Sequence, residues 1–215
     1  MNENLFEAQY NVAKKSKLRK FYESNKIYIF LIASVLIISA AAFSYYWGVK
    51  EKNKILLSDN YIDAKIYIKN GDKNKAKNIL KKIILANDST YSTLSLFLIL
   101  DENLIIDQEV LSNLFNHVLE NNEFEEEIKN LIIFKKALFQ SNFLGEFELL
   151  KSVKPLINSD TLWKPHALLL LGDYFVSKRE YAKAKEFYTQ ILSLKNLNNE
   201  LYDQARSQLL AIAHE

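Results

Sequence analysis

Gly71-Asp72-Lys73-Asn74-Lys75-Ala76-Lys77-Asn78-Ile79-Leu80 and Arg179-Glu180-Tyr181-Ala182-Lys183-Ala184-Lys185-Glu186-Phe187-Tyr188 follow one pattern, 108 residues apart. Each copy opens on a turn, continues through Lys-Ala-Lys, and places Leu80 or Tyr188 four residues beyond the alanine. An offset of 108 is close to three helical hairpins of about 34–36 residues each. Working outward from the two copies, the apolar residues recur at helical spacing and are interrupted by short polar stretches. Asn70-Gly71-Asp72, Asn87-Asp88-Ser89, Asn121-Asn122 and Asn158-Ser159-Asp160 are the clearest of these. The pattern predicts helices near 51–69, 73–86, 90–101, 107–120, 123–141, 144–157, 162–178, 181–194 and 199–213. Such short helices cannot bury their apolar faces singly, so neighbouring pairs are expected to stack into an α-α solenoid.

Composition agrees with an all-α class. Of 215 residues, 49% are hydrophobic and 25% charged, which is enough to build a core. Only 4 Gly and 2 Pro occur, too few to punctuate a β architecture. The formal net charge of +2 has its surplus ahead of the long apolar segment and forms no basic stripe behind it, so nucleic acid is not expected as a partner. The chain contains no cysteine, and therefore no disulfide framework, thiolate nucleophile or cysteine metal site.

The second copy, extended back into the preceding helix, resembles a tetratricopeptide repeat. Leu171 and Gly172 come first, with Phe175 three residues on, then a turn, then Ala184, Tyr188 and Ile191 in the second helix. In the first copy Ala64, Tyr67, Ala76, Leu80 and Ile83 occupy the same pattern, with Ala64 in place of the glycine. Small residues such as Gly172 and Ala184 belong where two antiparallel helices touch, and the large ones fill the space between hairpins. Departures from the family are Leu168 at a position often held by tryptophan, Ile191 where alanine is common, and no proline near Asn196. The stretch from about 90 to 160 matches the pattern poorly. The resemblance implies a groove lined by the inner face of each hairpin's first helix, and Tyr61, Lys65, Lys69 and Asp173 are the expected lining residues.

From Ile27 to Trp47 the chain reads IYIFLIASVLIISAAAFSYYW without a charge, and about 21 residues at 1.5 Å each cross a ~30 Å hydrocarbon layer. Tyr28 at one border and Tyr45, Tyr46 and Trp47 at the other suit the two membrane interfaces. Lys14, Lys15, Lys17, Arg19, Lys20 and Lys26 precede the segment, against Lys50, Lys52, Lys54 and Lys65 after it. Six against four favours a cytoplasmic N-terminus. The expected organisation is a cytoplasmic basic segment at 1–26, a transmembrane helix at 27–47, and an extracytoplasmic helical-repeat domain at 48–215. A cleavable leader ending near Ala40–Ala42 is the alternative. Against it stand the bulky residues from Phe43 onward and the acidic Glu3, Glu7 and Glu23 in the preamble. Ala40, Ser44 and Gly48 recur at spacing four, which would let a second membrane helix approach closely.

A short basic N-terminus, one span and degenerate repeats to the end resemble the bacterial inner-membrane family of ancillary subunits of the Sec translocon. That resemblance implies a single-pass inner-membrane protein with a periplasmic domain, contacting SecYEG, secretory chains or periplasmic chaperones. An envelope scaffold for division or cell-wall machinery would need the same anchor and array, and is the alternative. No enzyme, cofactor, metal site or small-molecule substrate is expected. His117, His166 and His214 are scattered without metal-ligand spacing, and no phosphate loop or nucleophile elbow occurs. Glu123, Glu125, Glu126 and Glu127 are expected in a helix's first turn, where the macrodipole favours carboxylates. In the stretch SDTLWKPHA from Ser159, Asp160 or Thr161 is expected to cap a helix holding Pro165 in its first turn, with Trp163 a packing residue.

Overall fold

The structure, a computed structural model, describes residues 3–195 and 197–213, with side chains from Arg19 onward. It is all-helical over those residues. In chain order the helices are α1 (Glu3–Lys69), α2 (Lys73–Ile84), α3 (Ser89–Asp101), α4 (Gln108–Asn121), α5 (Glu126–Gln140), α6 (Glu146–Ile157), α7 (Lys164–Ser177), α8 (Tyr181–Leu192) and α9 (Asn199–Ala211). The polar interruptions read from the sequence do end the helices. Asp72 accepts from Lys75 N, Asp88 from Thr90 N and Tyr91 N, Asp107 from Glu109 N and Val110 N, and Asn198 from Glu200 N.

The basic segment, the apolar segment and the first repeat helix run on as one helix, α1. Residues 3–69 contain no proline and a single glycine, Gly48, so the change from polar to apolar side chains alters the preferred solvent without breaking the backbone ladder. At the start of α7, Trp163 holds the cap position without a side-chain bond of its own, while Thr161 Oγ1 accepts from Trp163 N at 3.3 Å. Thr161 is also buried, donating to Glu127 Oε2 at 2.8 Å and accepting from Asn130 Nδ2 at 3.1 Å. Glu126 and Glu127 do lie in the first turn of α5, and Pro165 in that of α7.

The chain divides into two compact units, Met1–Leu56 and Leu57–Glu215. In the first unit no residue in the apolar window of α1 is buried. Within it Ser34 Oγ donates to Phe30 O at 2.8 Å and Ser39 Oγ to Leu36 O at 2.9 Å, so both hydroxyls are satisfied by the helix itself.

The second unit is a stack of four hairpins, with residues 57–69 of α1 paired to α2, then α3/α4, α5/α6 and α7/α8, and α9 laid on the last. Each helix from α2 to α9 packs on its sequence neighbour, while α5 also meets α7 and α7 meets α9. Two apolar clusters fill it. One joins Ala64, Ala76, Leu80, Leu96, Phe115 and Ile132, and the other joins Ala137, Val153, Leu171, Phe175, Ala184 and Tyr188. Helix α5 supplies Ile132 to the first and Ala137 to the second, so it links them.

The four-hairpin stack extends through the stretch where the sequence pattern is weakest. There α3 buries Ser92 and Ser95, and the Ser92 hydroxyl is shared between the carbonyls of Ile83 and Ile84 at 3.1 and 3.0 Å. A serine that satisfies the end of the preceding helix replaces the small-residue signature expected from sequence.

The tightest packing is in the last hairpin. A Cβ on Gly172 would sit 2.8 Å from Cδ1 and Cζ of Tyr188. Tyr188 is fully buried, and its hydroxyl donates to Asp173 Oδ1 at 2.7 Å. Burial, and then the bond to the Asp173 carboxylate, push the Tyr188 phenol pKa well above its ordinary value.

The first helices of three hairpins end alike. Gly71 (φ 83°), Asn103 (φ 50°) and Arg179 (φ 62°) are left-handed. Asp72 N donates to Tyr67 O at 2.9 Å, Leu104 N to Ile99 O at 3.0 Å and Glu180 N to Phe175 O at 2.9 Å. The 108-residue offset extends to side chains. Lys75 pairs with Asp72 and lies 5.3 Å from the Tyr67 ring centroid, while Lys183 pairs with Glu180 and lies 4.9 Å from that of Phe175. Lys183 also reaches Glu146 at 2.7 Å, tying α8 to α6.

Gly172→Ala is expected to destabilise the full-length protein by roughly 1–3 kcal/mol through overpacking against Tyr188. Arg179→Gly should stabilise it by up to about 1 kcal/mol, because only glycine adopts the left-handed backbone freely. Denaturant unfolding of both variants in detergent micelles, followed by circular dichroism, reads the two signs. Equal midpoints for Gly172→Ala and parent would refute the close crossing.

The alkaline limb of stability carries the Tyr188 contribution. Its folded-state pKa lies above the unfolded value of about 10, so this contribution is complete below pH 10 and declines as pH rises beyond it, when only the unfolded chain releases the proton. Tyr188→Phe should lose about 1–2 kcal/mol at pH 7 with the hydrogen bond, and show a shallower decline between pH 10 and 11 than the parent. Parallel alkaline slopes in chemical denaturation would contradict the assignment.

Candidate protein-interaction groove

In a stack of hairpins the first helices share a row, and residues that do not pack on a second helix face a common surface. Here α1 turns Ala64 inward at zero exposure and leaves Ile62 at 52% and Ile66 at 50%. Beside them α3 contributes Leu98, which is only half-buried. The result is a groove of about 480 Å³ lined by Ile62, Lys65, Ile66, Ile68 and Lys69 of α1 and by Leu98 and Glu102 of α3. Its floor is aliphatic and its edges carry charge. Lys73 Nζ donates to Glu102 O at 3.4 Å across one end.

The structure separates the four expected groove residues. Lys65 and Lys69 line the groove. Tyr61 is half-buried beneath it, with its ring 6.2 Å from that of Tyr91 and Lys65 Nζ 5.9 Å from its centroid. Burial and then the charge of Asp101 raise its pKa. Asp173 lies on α7 and does not line this groove; its carboxylate receives the Tyr188 hydroxyl. An exposed acidic side chain on a first helix reads as a contact residue in sequence, yet its partner is 15 residues away on the facing helix.

Ile62, Ile66 and Leu98 were missed as lining residues. Helical spacing alone marks Ile62 and Ile66 as apolar and therefore inward, and the signal that could have found them is their position off the stripe of Leu57, Tyr61, Ala64 and Ile68. The repeat-core set Ala64, Ala76, Leu80, Leu171, Gly172, Phe175, Ala184, Tyr188 and Ile191 is buried, and Tyr67 is half-buried under Lys75.

Elsewhere, Trp163 stacks on Phe134 with centroids 5.5 Å apart and donates through Nε1 to Glu127 O at 3.1 Å. His166 packs against the same two rings, and His117 Nε2 lies 2.8 Å from Asn87 Oδ1. His214 lies outside the described residues. No cluster of three potential metal ligands occurs among the described residues. Ala40, Ser44 and Gly48 are exposed on α1, and a Cβ on Gly48 would meet nothing within 4 Å.

Neither curated proteins nor solved structures yield a match to the chain. A family model described as tetratricopeptide repeat matches residues 64–90 and 165–196. These stretches cover the first hairpin from Ala64 and the last, the two in which Ala76 and Ala184, Tyr67 and Phe175, and Lys75 and Lys183 correspond at the 108-residue offset. Two hairpins of the stack, the first and the last, are therefore similar to tetratricopeptide repeats, a repeat type that generally mediates protein–protein interaction.

Proposed function

We propose that this protein is a membrane-anchored interaction module of the bacterial inner membrane, crossing once with its N-terminus in the cytoplasm and its repeats in the periplasm. It acts there as an ancillary factor at the Sec translocon or in the periplasmic chaperone network, and has no catalytic role. The observation that supports this most strongly is the apolar window of α1, with no residue buried, within a chain that also carries an interaction fold. A stretch of about 20 aliphatic and aromatic residues left in water forms a patch far larger than soluble proteins tolerate, and a bilayer is the solvent that fits it. The basic flank ahead of it favours the proposed orientation. The assignment to secretion rests on the resemblance of this layout to that of ancillary translocon subunits. The groove between α1 and α3 supplies the contact surface, with aliphatic side chains for affinity and Lys65 and Lys69 for orientation.

A periplasm-dependent reporter fused after Glu215 should be active, and the full-length chain should resist carbonate extraction. Activity only of a cytoplasm-dependent reporter would reverse the topology. A soluble product shortened by about 42 residues would instead establish a cleaved leader.

Photocrosslinking residues at Ile62 and Ile66 should capture translocon subunits, secretory chains or periplasmic chaperones. Capture of division or cell-wall proteins would favour the envelope scaffold. Ile66→Glu places an unpaired charge in the groove and should cut partner recovery about tenfold or more without loss from the membrane. Ser44→Leu tests the other surface. Unchanged recovery with that variant assigns docking wholly to the repeat unit, and reduced recovery adds the span to it.

A further inference from the structure

On the opposite row of helices, a crevice of about 390 Å³ opens between the second helices α4 and α6, floored by α5. Lys136 of α5 lines it, half-buried. Its Nζ donates to Asn116 Oδ1 at 2.7 Å, and among the described residues no carboxylate comes within 4.0 Å of it. An ammonium has three N–H donors, so one neutral acceptor leaves two without an assigned partner in a partly desolvated place. Burial lowers the pKa of this amine, and the charge of Glu120 opposes the shift only in part.

One turn along α5, Gln140 is buried and its amide oxygen accepts from Ser152 Oγ at 3.1 Å. That bond orients the amide and leaves its NH2 without a described protein acceptor. Lys151 adds a cation at the rim. Glu148 is the acidic residue of the crevice, but its Oε2 folds back over Gly145 to within 2.9 Å of where a Cβ would stand. There it faces the N-terminus of its own helix, where the backbone favours a carboxylate. The crevice thus gathers hydrogen-bond donors around one half-buried positive charge. Its remaining walls are aliphatic, from Ile133, Leu144 and Pro155.

A pocket whose half-buried ammonium makes no ion pair within 4.0 Å among the described residues suits a carboxylate, and the aliphatic walls suit an apolar stem behind it. We propose that the α4–α5–α6 crevice binds a carboxylate carried on a short aliphatic stem, the carboxylate against Lys136 and Gln140 and the stem along Ile133, Leu144 and Pro155. The site is separate from the α1–α3 groove and does not depend on the function proposed for that groove. Both a small aliphatic acid and a glutamate side chain of a bound protein segment present this chemistry.

Full-length protein labelled with [15N]glutamine, in dodecyl maltoside micelles, reports on the site through the Gln140 side-chain amide. Hexanoate should shift that resonance saturably, whereas hexanamide at the same concentration should not. The peptide N-acetyl-Leu-Glu-Leu-amide is the second probe. Tighter binding of the peptide assigns the site to a protein segment, and tighter binding of hexanoate assigns it to a small acid. Lys136→Met should weaken either response at least tenfold, while Lys136→Arg, which keeps the charge, should retain most of it. No shift with either probe, an equal shift with hexanamide, or an undiminished response in a folded Lys136→Met protein overturns the proposal.

Discussion

The ring of Tyr188 lies where a side chain on residue 172 would have to go, and the last hairpin can close only because residue 172 has none. With Gly172 at the crossing, α7 and α8 approach closely enough for the Tyr188 hydroxyl to reach Asp173 on the same stretch of α7. That contact fixes the hairpin angle, and the angle sets the faces offered to α6 and α9. Phe175 and Phe187, stacked with planes 3° apart, then complete the layer. In the first hairpin Ala64 and Leu80 occupy the equivalent positions, a slightly larger residue facing a smaller one. The volume at the crossing is shared differently between the two helices.

A stack built this way is held by nearest-neighbour layers, and its two apolar clusters meet at α5. Ile132 and Ala137, five residues apart on one helix, face different clusters. Any disturbance of α5 is therefore felt in both directions along the array. The same helix floors the Lys136 crevice, so a ligand held there would act on the element that joins the two halves of the core. Polar ties reinforce the layers at their edges: Lys183 bridges α8 to α6, and Thr161 with Glu127 and Asn130 pins the α6–α7 loop to the start of α5. The partly exposed Lys183–Glu146 pair contributes little by itself, whereas the bonds of buried Thr161 and Asn130 satisfy polar groups that would otherwise be costly to bury.

The groove and the crevice differ in chemistry because first and second helices have different duties. Each second helix must bury a continuous stripe between successive first helices, as Ala76, Leu80, Ile83 and Ile84 do on α2. A first helix at the start of the stack has no preceding hairpin to cover it, and Ile62 and Ile66 are left as apolar surface available to a partner. The crevice arises where Lys136 comes off a first helix into the gap between two second helices, where it is half-buried.

By itself the sequence determined what depends on short-range rules. Helix ends follow Asp72, Asp88, Asp107 and Asn198, whose side chains bond backbone a few residues away. The apolar stretch from Ile27 to Trp47 is legible because length and lack of charge suffice. The two repeats are legible because their small and large residues sit at fixed spacing within one hairpin. Tertiary structure alone decided what depends on a partner from another helix. Asp173 holds the Tyr188 hydroxyl of the facing helix, Thr161 ties Glu127 and Asn130 of α5 to the start of α7, and Lys136 lies in a crevice that three helices must come together to form. Spacing along one helix gives the direction of a side chain but not what faces it, and the function of a polar side chain here is fixed by what faces it.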